Sequence, residues 1–120
     1  MKVTIRITKN FKKEAKPLLK KFNSLAKDLL QLEKDLIDMP RTGVSLGHDC
    51  FKIRLKIPSK GKGKSGGARV ITLVETEIIG IVEVNIEEDV TVSLLSIFDK
   101  SEVSNLTDKE LKELIKHYKE

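Results

Sequence analysis

The chain has 120 residues, 39 % of them hydrophobic, and its 23 basic and 18 acidic side chains leave a net charge of +5. That length and apolar share suffice for one domain with its own core, residues 1–120, and argue against disorder. The single cysteine, Cys50, excludes an internal disulfide, no run reaches the ~20 apolar residues of a membrane span, and the first residues lack the apolar run of a secretion signal; a cytoplasmic protein without a membrane partner is expected.

In chain order, Val3, Ile5 and Ile7 alternate with polar residues, which predicts a half-buried strand. Thr8 is placed to cap a first helix with Phe11, Ala15, Leu18, Leu19 and Phe22 on one face, in which Pro17 should kink the helix or mark a weak point. A second helix, with Leu25, Leu29, Leu32 and Leu36, stops before Pro40. Residues 41–49, with two glycines, read as a loop. Phe51, Ile53, Leu55 and Ile57 then alternate with Lys52, Arg54 and Lys56, so an inward apolar face puts the three cations together on the other side. Residues 59–67 are a loop of Gly, Lys and Ser. Two strands follow, residues 69–74 and 90–98, apolar on both faces as in a sheet centre. Residues 75–89 between them either extend the hairpin or form an acidic arm. Thr107-Asp108-Lys109-Glu110 is a capping box that opens a last helix bearing Leu111, Leu114, Ile115 and Tyr118. This order predicts an α+β fold: a small, mainly antiparallel sheet of about four strands, an N-terminal helical pair on one face and a C-terminal helix.

Charge is segregated along the chain. Residues 50–74 contain Lys52, Arg54, Lys56, Lys60, Lys62, Lys64 and Arg69 and no acid, whereas residues 75–99 contain seven acids and no base. Such a block predicts a cationic patch suited to phosphate, with Arg adding bidentate geometry. Lys56 and the loop residues Lys60, Lys62 and Lys64 would hold a nucleic-acid backbone, with His48 beside the cationic strand. Gly61-Lys62-Gly63-Lys64-Ser65 has the ending of a nucleotide phosphate loop, but Pro58 stands where that motif needs glycine and a strand follows where it needs a helix. His48, Asp49 and Cys50 are sequence neighbours that point to alternate sides of an extended chain, which argues against a Cys-His centre, and the only other histidine is His117. No metal and no cofactor are expected.

Three stretches resemble a known family. Cys50-Phe51-Lys52-Ile53-Arg54-Leu55 is similar to the second-strand signature of RelE-type toxins; Lys60-Gly61-Lys62-Gly63-Lys64-Ser65-Gly66-Gly67-Ala68-Arg69-Val70-Ile71 resembles the loop and strand of HigB-like members; and Leu94-Leu95-Ser96-Ile97-Phe98-Asp99-Lys100-Ser101-Glu102 with Leu106-Thr107 resembles their last strand and its exit. The resemblance implies a RelE-like, microbial RNase-like fold and a toxin of a type II toxin–antitoxin system that cuts messenger RNA on the ribosome without a metal. Its implied partners are a cognate antitoxin, the ribosome with its messenger RNA, and operator DNA only through the antitoxin complex. In the implied chemistry the ribose 2′-OH attacks the adjacent phosphorus, with Lys52 as base, Arg54 and Arg69 as charge stabilisers and Lys100 as an addition to them. Where members of the family often carry tyrosine, this chain has Thr72-Leu73 and Phe98. Two alternatives stay open: a ParE-like toxin that binds DNA gyrase without cutting RNA, and a degenerate member that binds only its antitoxin.

Overall fold

The structure, a computed structural model, describes residues 2–58, 67–82, 85–100 and 106–119. The elements follow as β1 (Lys2–Ile7), α1 (Lys9–Lys21), α2 (Leu25–Asp38), β2 (Val44–Gly47), β3 (Cys50–Leu55), β4 (Ala68–Val82), β5 (Asn85–Asp99) and α3 (Asp108–Lys119). The fold is α+β. Its sheet has five strands rather than about four, in the order β1-β5-β4-β3-β2, and it is mixed: β1 runs parallel to β5, and the other neighbours are antiparallel.

The fifth strand, β2, lies in the stretch expected to be loop. His48 and Asp49, both at positive φ (54° and 60°), make a two-residue turn that folds Val44–Gly47 back onto β3, with Val44 opposite Lys52. Of the stretch 75–89, residues 75–82 and 85–89 extend the hairpin. β4 and β5 stay paired from Ala68↔Asp99 to Val82↔Asn85, and their far ends form a two-stranded arm beyond the body. The molecule is accordingly elongated, 53 × 29 × 22 Å.

Both faces of the sheet are covered, by different helices. One face packs on α1 and α2, where Phe11, Ala15, Leu18, Leu25, Leu32 and Leu36 bury against Ile53, Leu55, Val70, Val74, Val92 and Ile97. Thr8 caps α1 by accepting from the Phe11 N–H at 3.1 Å, and its hydroxyl donates to the Leu94 carbonyl at 2.8 Å, tying the helix start to β5. The helix runs through Pro17 without interruption. The other face carries Cys50, Ile71, Leu73 and Leu95, which bury against Leu111 of α3 with Leu114, Ile115 and Tyr118 around them. The capping box at the start of α3 forms in both directions: the Thr107 hydroxyl accepts from the Glu110 N–H, and the Glu110 carboxylate accepts from the Thr107 N–H, each at 3.1 Å. Among the described residues no helix is long and apolar enough to cross a membrane.

Candidate nucleic-acid interface

Alternation along β3 turns Phe51, Ile53 and Leu55 toward α1 and α2 and leaves Cys50, Lys52 and Arg54 on the face that carries α3. The β3–β4 register then sets Arg54 directly opposite Arg69 and Lys52 opposite Ile71. β5 completes the rows, with Phe98 opposite Arg69 and Ser96 opposite Ile71. Lys52, Arg54 and Arg69 therefore share one sheet face, two of them as cross-strand neighbours whose Cβ atoms stand ~5 Å apart.

Placing two guanidiniums side by side is unfavourable, and the fold does so with one of them enclosed. Arg69 is 7 % exposed and donates from Nη1 to the Ala68 carbonyl at 3.2 Å. Burial, and then the charge of Arg54, hold its pKa below the ordinary arginine value. Arg54 is exposed and Lys52 half-buried, and among the described residues neither has a carboxylate within salt-bridge distance. Gly67 at the entry to β4 is held at φ +55°, where a β-carbon would strike the Leu55 carbonyl oxygen; this close approach carries the chain into the Arg54–Arg69 register.

The other expected site residues fall in different places. Lys100 lies past the end of β5, and its N–H donates to the Gly67 carbonyl at 3.2 Å, which puts its backbone at the Arg69 end of the sheet. Lys56 is exposed just beyond β3 at that same end. His48 is not brought to the Arg54–Arg69 row. It sits in the β2–β3 turn, at the opposite end of β3, with Nε2 3.3 Å from the Asp108 carboxylate at the start of α3. Lys60, Lys62 and Lys64 lie outside the described residues. Cys50 is fully buried under α3, and burial, then the charge of Asp49, push its pKa up to about 11; it is an inert thiol in the core. Among the described residues no three His, Cys, Asp or Glu side chains are arranged to hold a metal ion.

A cleft of about 310 Å³ next to this face is not legible in the sequence. β1 stops pairing at Leu94, and beyond it α1 flanks β5, with Asn10 donating to the Leu95 carbonyl at 2.9 Å and the Ser96 hydroxyl donating to Glu14 at 2.7 Å. Between α1 and α3 the cleft is walled by Phe98, Leu106 and Leu114 and edged by Glu14, Glu110, Glu113 and His117. Phe98 thus belongs both to the cleft and to the Arg54–Arg69 row. Only the packing of α3 onto this face creates the cleft, and no spacing within the sequence marks it. The chain matches no protein-family model, no curated protein and no solved structure.

Proposed function

We propose that this protein is the toxin of a type II toxin–antitoxin pair, with a RelE-like fold, that cuts messenger RNA on the ribosome without a metal and so stops translation. The observation that carries the reading is the row of Arg54 opposite Arg69, with Lys52 on the same face two residues from Arg54. RNA cleavage by the neighbouring 2′-OH needs a proton acceptor and cations around a phosphorus that gains negative charge, and it needs no metal. Lys52 serves as the acceptor, and Arg54 and Arg69 bracket the phosphate with Lys100 beyond them. Lys56 and the loop lysines Lys60, Lys62 and Lys64 hold flanking nucleotides, whereas His48, beside Asp108 at the other end of β3, takes no part. The half-buried Lys52 and exposed Arg54, which have no carboxylate within salt-bridge distance among the described residues, also fit an antitoxin whose acidic segment covers them.

The test is induced expression followed by mapping of messenger RNA 5′ ends. The wild-type chain should arrest growth and create new ends. Arg54→Ala, at an exposed position where folding is safe, should reduce cleavage by ~10²–10³-fold, as expected for removal of one charge stabiliser. Lys52→Ala should lose cleavage while retaining RNA binding. Growth arrest without new RNA ends would sink the nuclease reading, and stalled gyrase in those cells would put the ParE-like alternative in its place.

A further inference from the structure

The longest open strand edge among the described residues lies along the arm. β3 pairs with β4 only as far as Leu73, and the last bond on that side runs from the Val74 N–H to the Asp49 carbonyl at 2.9 Å. β4 continues to Val82 with β5 as its one neighbour. Hydrogen-bonding direction alternates along a strand, so the bond from Val74 fixes which groups point outward. Thr76 and Ile78 likewise direct N–H and C=O away from β5, toward an edge on which no described strand lies. Thr76, Glu77, Ile78 and Ile79 are all exposed, Ile78 at 60 %.

An open edge of this kind is a template for another strand, and the side chains decide which. Residues 75–89 carry Glu75, Glu77, Glu83, Glu87, Glu88 and Asp89 and no base. Glu77 stands directly opposite Asp89, an unfavourable pair of like charges. Lys119 lies 3.6 Å from Glu75 and Lys2 is beside Asp89 in the register, but Glu77, Glu87 and Glu88 have no cation partner among the described residues. A second copy brought arm to arm would set acid against acid, and the same charge repels RNA. A strand with cations at alternate positions relieves the repulsion at Glu77, and its apolar positions cover Ile78 on the other face.

We infer that the arm is a docking edge for an extended segment of a partner protein in which basic and apolar residues alternate, and that this segment adds to β4 alongside Thr76 and Ile78 as a further strand. Backbone hydrogen bonds hold the segment, and the acids select its charge. The inference is independent of the RNA-cleavage reading, because it uses neither the Arg54–Arg69 row nor the face beneath α3.

The probe is a short labelled peptide of alternating lysine and valine, titrated against the full chain by fluorescence anisotropy at about 50 mM salt. The wild type should bind it, and Glu77→Lys should weaken binding at least ~10-fold. Ile78→Pro removes an outward N–H and takes no bond from the β4–β5 ladder, so it too should weaken binding at least ~10-fold, and more than Ile78→Ala, which keeps that N–H. Circular dichroism checks that each variant is folded. Backbone amide NMR of the wild type gives a readout that needs no variant: the peptide should shift the Thr76 and Ile78 amides and slow their hydrogen exchange. No binding by the wild type up to about 1 mM peptide, equal binding of a glutamate–valine peptide, undiminished binding by folded Ile78→Pro, shifts confined to β1 or β2, or the same shifts on raising protein concentration without peptide would each overturn the proposal.

Discussion

Replacing Arg54 by glutamine should make the protein more stable while disabling its cationic face. In the native sheet Arg54 stands directly opposite Arg69, whose guanidinium is nearly enclosed. Like charges directly opposite in a ladder destabilise by roughly 0.2–1 kcal/mol. Glutamine keeps most of the aliphatic stem and removes that repulsion. At ~2.1 cal/mol/K per residue, unfolding a chain of this length carries an entropy of roughly 250 cal/mol/K, so the gain corresponds to a Tm increase of about 1–4 °C. Thermal unfolding followed by far-ultraviolet circular dichroism at about 20 mM and about 500 mM salt provides the check. The increase should be larger at low salt, because the repulsion is partly exposed and therefore screened. A lower Tm for Arg54→Gln, or an increase that salt leaves unchanged, would mean that repulsion across the ladder is not what the substitution relieves.

Alkylation of Cys50 by iodoacetamide should be slow in the native protein, since the thiol is fully buried and its pKa is about 11, and Leu111→Ala should speed it by loosening α3; fast labelling of the wild type would contradict the packing. Thr72→Val should raise stability by about 1 kcal/mol in a urea titration, because among the described residues the buried Thr72 hydroxyl has no hydrogen-bond partner; a loss of stability would show that the hydroxyl is satisfied. In acid, α3 should loosen. A hydrogen bond from Lys112, with the charges of Lys112 and His48, holds Asp108 below the ordinary carboxylate range, and the Thr107 N–H and then its hydroxyl do the same for Glu110. A carboxylate lowered by folding stabilises above its unfolded pKa and loses that contribution as the pH falls through the folded value, which places the transition below about pH 4. Tyr118, the only tyrosine, is hydrogen-bonded to Ser93 at 2.8 Å and reports it by fluorescence; an emission unchanged between pH 5 and pH 2 would count against the coupling.

Much of this architecture could be read from side-chain periodicity. The spacing of Phe11, Ala15, Leu18 and Phe22, the alternation of residues 51–57 and the Thr107–Glu110 box each specify local structure through contacts a few residues apart, and each element formed as expected. β2 escaped because Val44, Ser45 and Leu46 are too few to show a period between two glycines, and because its existence depends on positive φ at His48 and Asp49. The two-residue spacing of Lys52 and Arg54 gave their common face. The pairing of Arg54 with Arg69 depends instead on where the strand resumes at Gly67, which no local pattern specifies. The placement of α3 beside the cations, and with it the Phe98 cleft, is a tertiary outcome: an amphipathic stripe says that a helix must bury one side, without saying against which face of the sheet.

The parallel pairing of β1 with β5 has a consequence for the order of folding. Lys2 pairs with Asp89, so the first strand waits for a partner 87 positions later. At about 5–20 residues per second, synthesis delivers that partner roughly 4–17 s after β1. During those seconds α1 and α2 have no complete surface on which to bury Phe11, Leu18, Leu25 and Leu36. The β4–β5 hairpin closes locally as soon as it emerges, so the centre of the sheet assembles before its N-terminal edge. A nascent chain that stops short of Leu94 therefore exposes its longest apolar helices, and chaperones and proteases gain access to it before the cationic face is fully backed by a core.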